Sequence, residues 1–401
     1  MSGSKNLKEY HPQKYYLKII CQFLYCFGLG DFWYEKKIRG YIQNTIYIVW
    51  VFISNTYIFL IIINEFLAYL RKDLTDKEKG DLVLFSFAHP SIVGKILVFY
   101  IKRREIMDTL QMLLEENRKT YNRPTLDKCS VKRAKFYCTC LFVNIFVILV
   151  SATSEGIKNY FEEGIPIRTE VTYLPKRENS GIAVNVFRFL IQFHWWFIMA
   201  IMYSIDCLSI CSLVFLSYRF KNVRLHFGNC RLKMKKMSKT KQQYLIDECF
   251  ENNFVIGIKL HQDALRCARR IQMSLGKLYT VEVVETISML VICLLKLTIS
   301  GRDITLLVKN FMFISCVILL NGTYMMSGGD VTHEASLISD SVFYCGWEYS
   351  RARRSLRSLV VVALQQSQVP IRMTAFGVLS LSYSSFITVL RLSYSFFAVM
   401  Y

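Results

Sequence analysis

The sequence predicts an all-α membrane protein with seven transmembrane helices and a further layer of helices outside the bilayer. Three observations indicate this fold class. Apolar residues make up 53% of the 401 residues and aromatic residues 14%, whereas a soluble domain of this size needs a largely polar surface. Seven apolar stretches reach or approach the roughly 20 residues that a helix needs to cross a bilayer. The cations are concentrated in alternate connecting segments.

The seven predicted spans differ in how cleanly they are delimited. The first is nearly uninterrupted, whereas the second contains His89, Pro90 and Lys95. The fourth is long enough to tilt or to extend beyond the hydrocarbon, and a turn at 301–303 joins the fifth to the sixth. Together they predict a single domain over residues 1–401. The spans are predicted at 46–63, 82–101, 136–152, 186–218, 278–300, 306–327 and 370–401.

Ahead of the first span, the short apolar run 19–29 follows four lysines. This order resembles a signal peptide, but no small-residue cleavage site follows the run. We therefore expect an interfacial segment at this position.

The distribution of charge predicts the orientation. Segments 1–45, 102–135, 219–277 and 328–372 hold 36 Lys and Arg residues against 16 acidic residues, a surplus that equals the whole net charge of +20. The connecting segments on the other side hold 10 cations and 11 anions. Because cytoplasmic loops are rich in Lys and Arg, the amino terminus is predicted in the cytoplasm and the carboxyl terminus outside the cell. A charge confined to one side of a membrane also argues against nucleic-acid binding.

Two of the basic segments carry amphipathic helical patterns. Apolar residues recur at helical spacing over 243–277, and a stripe of Leu and Val residues runs through 340–368. We expect a packed cytoplasmic layer that joins subunits; helices lying on the lipid surface are the alternative. The sequence has no paired metal ligands, glycine-rich phosphate loop or nucleophile elbow, so neither an enzyme nor a cofactor is expected.

Ionisable residues inside the predicted spans are informative because they are costly to bury. Asp206 lies in the fourth span and Arg391 in the last. Each of them either serves function or assembly, or belongs to a structural ion pair. Glu282 and Glu285, near the start of the fifth span, are expected to be structural.

A group of aromatic and small polar residues is predicted in the outer half of the bundle. Large aromatic side chains with a few polar groups suit the enclosure of a small, mostly apolar ligand; ordinary helix packing is the competing interpretation. On the third span the residues follow an i, i+3, i+7 pattern, which places them on one helix face. The predicted ligand-binding residues are Phe85, Ala88, His89, Asn144, Val147, Ser151, Phe193, His194, Trp195 and Met199.

The end of the chain resembles the insect odorant receptors. The last span of that family carries a phrase close to S-L-E-T-F-x-x-I-L-K-S-S-Y-S-Y-F, and FITVLRLSYSFF at 386–397 is similar to its second half. FYCGWE at 343–348 and QQSQVP at 365–370 resemble the cytoplasmic lead-in. Asp206 matches an acidic residue that is usual in the fourth span. The chain departs from the family at 383–385, where YSS replaces L-E-T.

The resemblance implies a ligand-gated, non-selective cation channel of four subunits whose last span lines the pore. The implied partners are the odorant receptor coreceptor in a heterotetramer, a volatile odorant, membrane lipid and permeating cations. The implied location is the plasma membrane of a sensory dendrite. By its place in the motif, Val399 falls at a hydrophobic constriction that can gate by dewetting. The implied pore and gate residues are Arg391, Ser395, Phe396, Val399 and Met400.

Two other classes of membrane protein compete with this interpretation. A G-protein-coupled receptor has an external amino terminus, which would place the cations of two basic loops outside the cell, against the charge rule. Its Asp-Arg-Tyr and Asn-Pro-x-x-Tyr signatures are also missing from the sequence. A transporter would favour internal repeats with broken helices; Pro90 offers one break, and no repeat stands out.

Overall fold

The structure is a computed structural model that describes residues 11–35, 40–115, 124–163, 171–176, 178–299, 304–351 and 354–400. These ranges are predominantly helical and contain one two-stranded hairpin. The helices are α1 (Pro12–Cys26), α2 (Tyr41–Leu67), α3 (Asp76–Ile101), α4 (Arg103–Glu115), α5 (Pro124–Glu163), α6 (Ile182–Met237), α7 (Gln243–Ile299), α8 (Ile304–Ser336), α9 (Ile338–Phe343), α10 (Arg354–Ser367) and α11 (Tyr383–Met400). The strands are β1 (Thr374–Ala375) and β2 (Leu379–Ser380), and 3₁₀ turns occur at Ala68–Leu70 and Trp347–Tyr349.

Within the described residues, six helices are long and apolar enough to cross a membrane, namely α2, α3, α5, α6, α7 and α8. Each of them overlaps one of the first six predicted spans. The all-α membrane fold class is therefore confirmed. The turn predicted at 301–303 lies outside the described residues.

The last predicted span is divided into a hairpin and a helix. The chain beyond Pro370 first forms β1 and β2, and α11 begins only at Tyr383. Phe376 and Gly377 have positive φ angles of 54° and 73°, a conformation that suits tight hairpin turns and that glycine adopts without strain. The 18 residues of α11 extend about 27 Å, close to the thickness of the hydrocarbon core.

The first helix, α1, is packed against α5 and α6. Its Leu17, Cys21 and Leu24 are buried, because their i, i+4, i+7 spacing collects them on one helix face. The Gln13 amide donates to the Ser130 hydroxyl of α5 at 2.7 Å. The run that was expected as an interfacial segment is therefore covered by protein along one face.

Helices α6 and α7 extend well beyond their predicted spans. They contain 56 and 57 residues, or about 85 Å of helix, whereas the hydrocarbon core of a bilayer is about 30 Å thick. Their extensions, together with α9 and α10, form the predicted layer of helices at what we call the basic end of the bundle (residues 219–277 and 328–372). The opposite end, which we call the far end, holds the connection from α2 to α3 and the described residues 171–176 that precede α6.

One carboxylate, that of Asp247 near the start of α7, joins parts of this layer. It accepts hydrogen bonds from the Ser350 hydroxyl at 2.7 Å, the Arg351 N–H at 2.8 Å and the Gln243 amide at 3.0 Å. Partial burial by itself raises the pKa of Asp247, but these donors outweigh it and hold the pKa below its ordinary value. The ionised carboxylate thus ties the segment between α9 and α10 to α7.

At the centre of the bundle, Lys95 of α3 lies among three carboxylates. Its Nζ is 3.2 Å from Oδ1 of Asp206 on α6, and 2.7 and 3.0 Å from Oε2 of Glu282 and Glu285 on α7. The Tyr324 hydroxyl of α8 donates to Asp206 at 2.8 Å. We call these five residues the Lys95 cluster. It joins four spans, and the side chains of Lys95 and Asp206 are only 0% and 1% exposed.

The cluster shows the structural one of the two roles that the sequence left open for Asp206. Asp206 belongs to a structural ion pair, and its partner is Lys95, which the sequence presents as an interruption of the second span. Arg391 is exposed on α11. The Lys95 ammonium donates to Asp206 and Glu282, and these hydrogen bonds replace those with water that it loses on burial.

Replacing Lys95 by Met should strongly destabilise the fold. Removing one partner of a buried ion pair typically costs about 3–5 kcal/mol because the other partner stays buried without compensation. The measurement is thermal unfolding of the purified protein in detergent, with the exposed Lys72→Met as the matched control. Adding Glu282→Gln and Glu285→Gln to Lys95→Met should recover part of the loss. Equal unfolding temperatures for the two Lys→Met variants would contradict a stabilising role of the cluster.

Candidate functional site

Four of the predicted ligand-binding residues meet between α3 and α6. The rings of Phe85 and His89 stack with centroids 5.3 Å apart, and Trp195 meets Phe85 edge-on at 6.0 Å. His194 approaches His89 edge-on at 5.7 Å. All four residues are buried. We call them the aromatic–histidine cluster.

The local sequence explains how α3 presents its two rings. Phe85 and His89 are four residues apart, so they lie one above the other on the same helix face. Pro90 follows inside the same helix and has no N–H for the carbonyl of Ser86. In the turn of α3 that carries the two rings, the Ser86 carbonyl therefore lacks its usual helical hydrogen bond.

The structure adds two residues of α2 that the sequence analysis missed. Oε2 of Glu65 lies 2.6 Å from Nδ1 of His89, and both side chains are buried. The ring of Tyr57 meets His194 edge-on at 5.5 Å. Tyr57 and Glu65 are eight residues apart, which puts them on one helix face. This spacing is the signal that could have found them, but Glu65 lies just beyond the predicted first span, where an acidic residue is unremarkable in a sequence.

Three other predicted residues of α3 and α6 have different surroundings. Ala88 packs in a separate apolar cluster with α7. Met199 is buried one helix turn from Trp195. Phe193 is half exposed and stacks on Phe197, with centroids 6.2 Å apart. These positions place Met199 beside the aromatic–histidine cluster and direct Ala88 and Phe193 to other neighbours.

The predicted face of α5 lies at the surface of the chain. Asn144 and Ser151 are partly exposed, and Val147 is 44% exposed. Two hydrogen bonds from α6 reach this part of α5 at Thr153, whose hydroxyl accepts from Nε1 of Trp196 at 3.1 Å and from Nε2 of Gln192 at 3.2 Å. The three predicted residues therefore flank the contact between α5 and α6 and do not form its centre.

Helix α11 has a covered face and an open face. Ser385, Val389 and Ser393 follow an i, i+4, i+8 pattern and are buried, and the helix packs against α7 and α8. Val399 is 86% exposed, and of Met400 only the backbone is described. The predicted pore and gate residues whose side chains are described are all exposed: Arg391, Ser395, Phe396 and Val399.

The aromatic–histidine cluster combines ring contacts with one buried polar pair. Aromatic faces with a hydrogen-bonding pair, Glu65 and His89, suit a small organic molecule with one polar group. Among the residues that the structure describes, no group of three or more His, Cys, Asp or Glu side chains is arranged to hold a metal ion.

The chain is similar to a receptor family in sequence and to solved receptors in fold. Residues 82–394, most of the chain, match the family model described as 7tm Odorant receptor. The insect olfactory receptor OR5 from Machilis hrabei has a similar structure, with a TM-score of 0.75 at 11% identity over 96% of this chain and 97% of that one. The structure of that receptor in complex with eugenol is similar too, with a TM-score of 0.74 at 12% identity and the same coverage.

No curated protein sequence matches the chain. At such low identity the solved structures bear on the fold alone, whereas the family model covers most of the sequence. The protein therefore belongs to the 7tm odorant receptor family.

Proposed function

We propose that this receptor is the odorant-binding subunit of a ligand-gated, non-selective cation channel that assembles with the odorant receptor coreceptor. The observation that carries the proposal is the open face of α11, on which Ser395, Phe396 and Val399 are exposed. A membrane helix that combines a hydroxyl with large apolar side chains on its uncovered face suits the wall of a pore with a hydrophobic gate. Neighbouring subunits would complete that wall.

The proposed orientation places the basic end of the bundle in the cytoplasm. The predicted inner segments hold 36 Lys and Arg residues and the outer segments 10, and such an imbalance sets the orientation of multispan proteins. The aromatic–histidine cluster then lies in the outer half of the membrane, because Phe85 is near the far end of α3. The location that we propose is the plasma membrane of a sensory dendrite.

The proposed odorant site is the aromatic–histidine cluster with its neighbours on α2 and α5. A receptor of similar structure, from Machilis hrabei, is known in complex with eugenol, which supports odorant binding by this fold. Of the other predicted residues, Met199 beside the cluster would contribute a secondary contact. The remaining ones lie outside the cluster and would take part only if the ligand extends to them: Ala88, Asn144, Val147, Ser151 and Phe193.

The proposed mechanism is a population shift. An odorant that binds the open arrangement of the helices more tightly than the closed one favours opening by that difference in affinity alone. The outer end of α11 then moves outward, and a ring of apolar side chains at Val399 widens and wets. Arg391, Ser395, Phe396 and Met400 line the same helix and would face the permeating cations.

The first prediction concerns the class of signal. Non-neuronal cells that express this chain with the coreceptor should give a fast cation current to volatile esters, alcohols or terpenes. The current should require the coreceptor and should persist when G-protein signalling is blocked, because the pore belongs to the receptor complex. Whole-cell recording makes the measurement, and cells with either subunit alone are the controls. A current that disappears under the block would favour a G-protein-coupled receptor instead.

The second prediction concerns the gate. Val399→Ala should raise the basal current roughly two- to threefold, since a less bulky apolar ring wets more readily. Val378→Ala is a matched control, because Val378 lies in the hairpin and is 88% exposed, close to the 86% of Val399. Surface labelling normalises the currents. Unchanged basal current and ion selectivity in Val399→Ala would contradict the assignment of the constriction.

The third prediction concerns the odorant site. Phe85→Leu should raise the half-maximal odorant concentration about tenfold, or about 1.4 kcal/mol, because the stacked and edge-on ring contacts of Phe85 are lost. The basal current should stay unchanged. Phe142→Leu is the control, because Phe142 is a half-exposed phenylalanine of α5. Equal dose–response curves for the two variants would place the odorant elsewhere.

A further inference from the structure

Three side chains connect the first turn of α11 to two other helices at the basic end. The Tyr383 hydroxyl donates to Oδ1 of Asp330 on α8 at 2.5 Å. Nη2 of Arg133 on α5 lies 2.6 Å from the other carboxylate oxygen of Asp330 as an ion pair. The two carboxylate oxygens of Asp330 therefore contact two different helices, α11 through Tyr383 and α5 through Arg133. We call Arg133, Asp330 and Tyr383 the α11 latch.

Two glycines allow α11 to start so close to α8. A Cβ at Gly328 would lie 2.3 Å from Cβ of Leu381, a distance at which atoms overlap. A Cβ at Gly329 would lie 3.2 Å from the ring of Tyr383. The residues just before Asp330 thus form a flat surface on which Leu381 and Tyr383 rest. This surface brings the Tyr383 hydroxyl within reach of the Asp330 carboxylate.

The chain that leads into α11 is also held in place. The side-chain amide of Gln272 on α7 donates to the Thr374 carbonyl at 2.8 Å and accepts from the Thr374 N–H at 2.9 Å. The Phe376 N–H donates to the Thr280 hydroxyl at 2.9 Å. The hairpin therefore fixes the backbone position before α11 begins, and the latch fixes the direction in which the helix leaves it.

We propose that the α11 latch sets the resting tilt of α11 and thereby the fraction of channels that are open without odorant. This proposal rests on the pore role of α11 proposed above. Val399 lies roughly 24 Å beyond Tyr383 at 1.5 Å per residue, so a tilt of about 5° at the latch displaces Val399 by about 2 Å. A small tilt at the first turn of α11 therefore changes the width of the proposed ring of Val399 side chains at the other end of the helix.

The chemistry of the latch indicates which of its contacts matters most. Asp330 is buried, whereas Arg133 and Tyr383 both reach solvent. Of the two contacts that Asp330 makes in the latch, only the hydrogen bond from Tyr383 reaches α11 itself. Tyr383 also stands where the family phrase carries a different residue, within YSS at 383–385. The tyrosine hydroxyl is therefore the feature through which this chain would adjust its own resting state, and Arg133 acts as a positioning residue that orients the carboxylate.

The test uses variants that change a single polar atom of the latch, measured in the complex with the coreceptor. Tyr383→Phe removes only the hydroxyl, and Asp330→Asn keeps the size of the side chain while removing its charge. Because the latch holds the ligand-free arrangement, each variant should raise the basal current about threefold and lower the half-maximal odorant concentration. Tyr244→Phe, at an exposed tyrosine of α7, is the matched control and should behave as the unmodified receptor.

Coupling between the two residues gives a second, stricter readout. Because Asp330→Asn weakens the same hydrogen bond that Tyr383→Phe removes, the double variant Tyr383→Phe/Asp330→Asn should raise the basal current by less than the sum of the two single effects. A merely structural role would instead lower surface expression, which labelling detects, and would leave the basal current per surface receptor unchanged. Additive effects, or a fall in basal current, would overturn the proposal.

Amide hydrogen exchange separates this proposal from the proposed function. In the purified complex, Tyr383→Phe should speed exchange in the first turns of α11 but not in α9, because only α11 loses an anchor. An unmodified receptor that gives no current would contradict the channel proposal itself. A responsive receptor with unchanged basal current, or unchanged exchange in Tyr383→Phe, would contradict only the latch.

Discussion

The arrangement of the spans depends on one buried ammonium group, that of Lys95. Removed from water, its three N–H donors need acceptors. Asp206 and Glu282 accept hydrogen bonds from it, and Glu285 lies 3.0 Å away as an ion-pair partner. These acceptors belong to α6 and α7, and Tyr324 of α8 holds one of them. A rotation of α3 about its axis by the angle between successive residues, about 100°, would move Lys95 away from all three carboxylates. The cluster thus fixes both the neighbours of α3 and its rotation about its own axis.

That rotation decides which residues of α3 can serve a ligand. Ala88 is seven residues before Lys95, which places it only about 20° from Lys95 around the helix and toward α7, where it packs. Phe85 and His89 are turned about 80–120° away, toward α2 and α6, where Glu65 and Trp195 meet them. The Lys95 cluster and the aromatic–histidine cluster therefore lie on two different faces of α3. By fixing the rotation of α3, the Lys95 cluster positions the rings of the aromatic–histidine cluster.

The same reasoning separates what the sequence could predict from what it could not. Composition and charge predicted the spans, because crossing a bilayer imposes length and apolarity on each segment independently. The partner of Asp206 was out of reach, since Lys95 is 111 residues away and the sequence does not reveal how helices rotate against each other. The start of α11 was misplaced for a local reason: the positive φ angles of Phe376 and Gly377 form a hairpin inside an otherwise apolar stretch. Glu65 was missed because its significance comes from His89 on another helix.

The resulting molecule is held unevenly along α11. At the basic end, the hairpin is hydrogen-bonded to α7. Gly328 and Gly329 allow close contact between α8 and the start of α11, and Asp330 accepts a hydrogen bond from Tyr383. Toward the far end the buried stripe of α11 ends at Ser393, and Val399 is almost fully exposed. Motion therefore costs least at the end farthest from the anchored turn. A helix fixed at one end and open at the other converts small changes in the packing of its neighbours into displacement of its tip, which is the property that a gating helix needs.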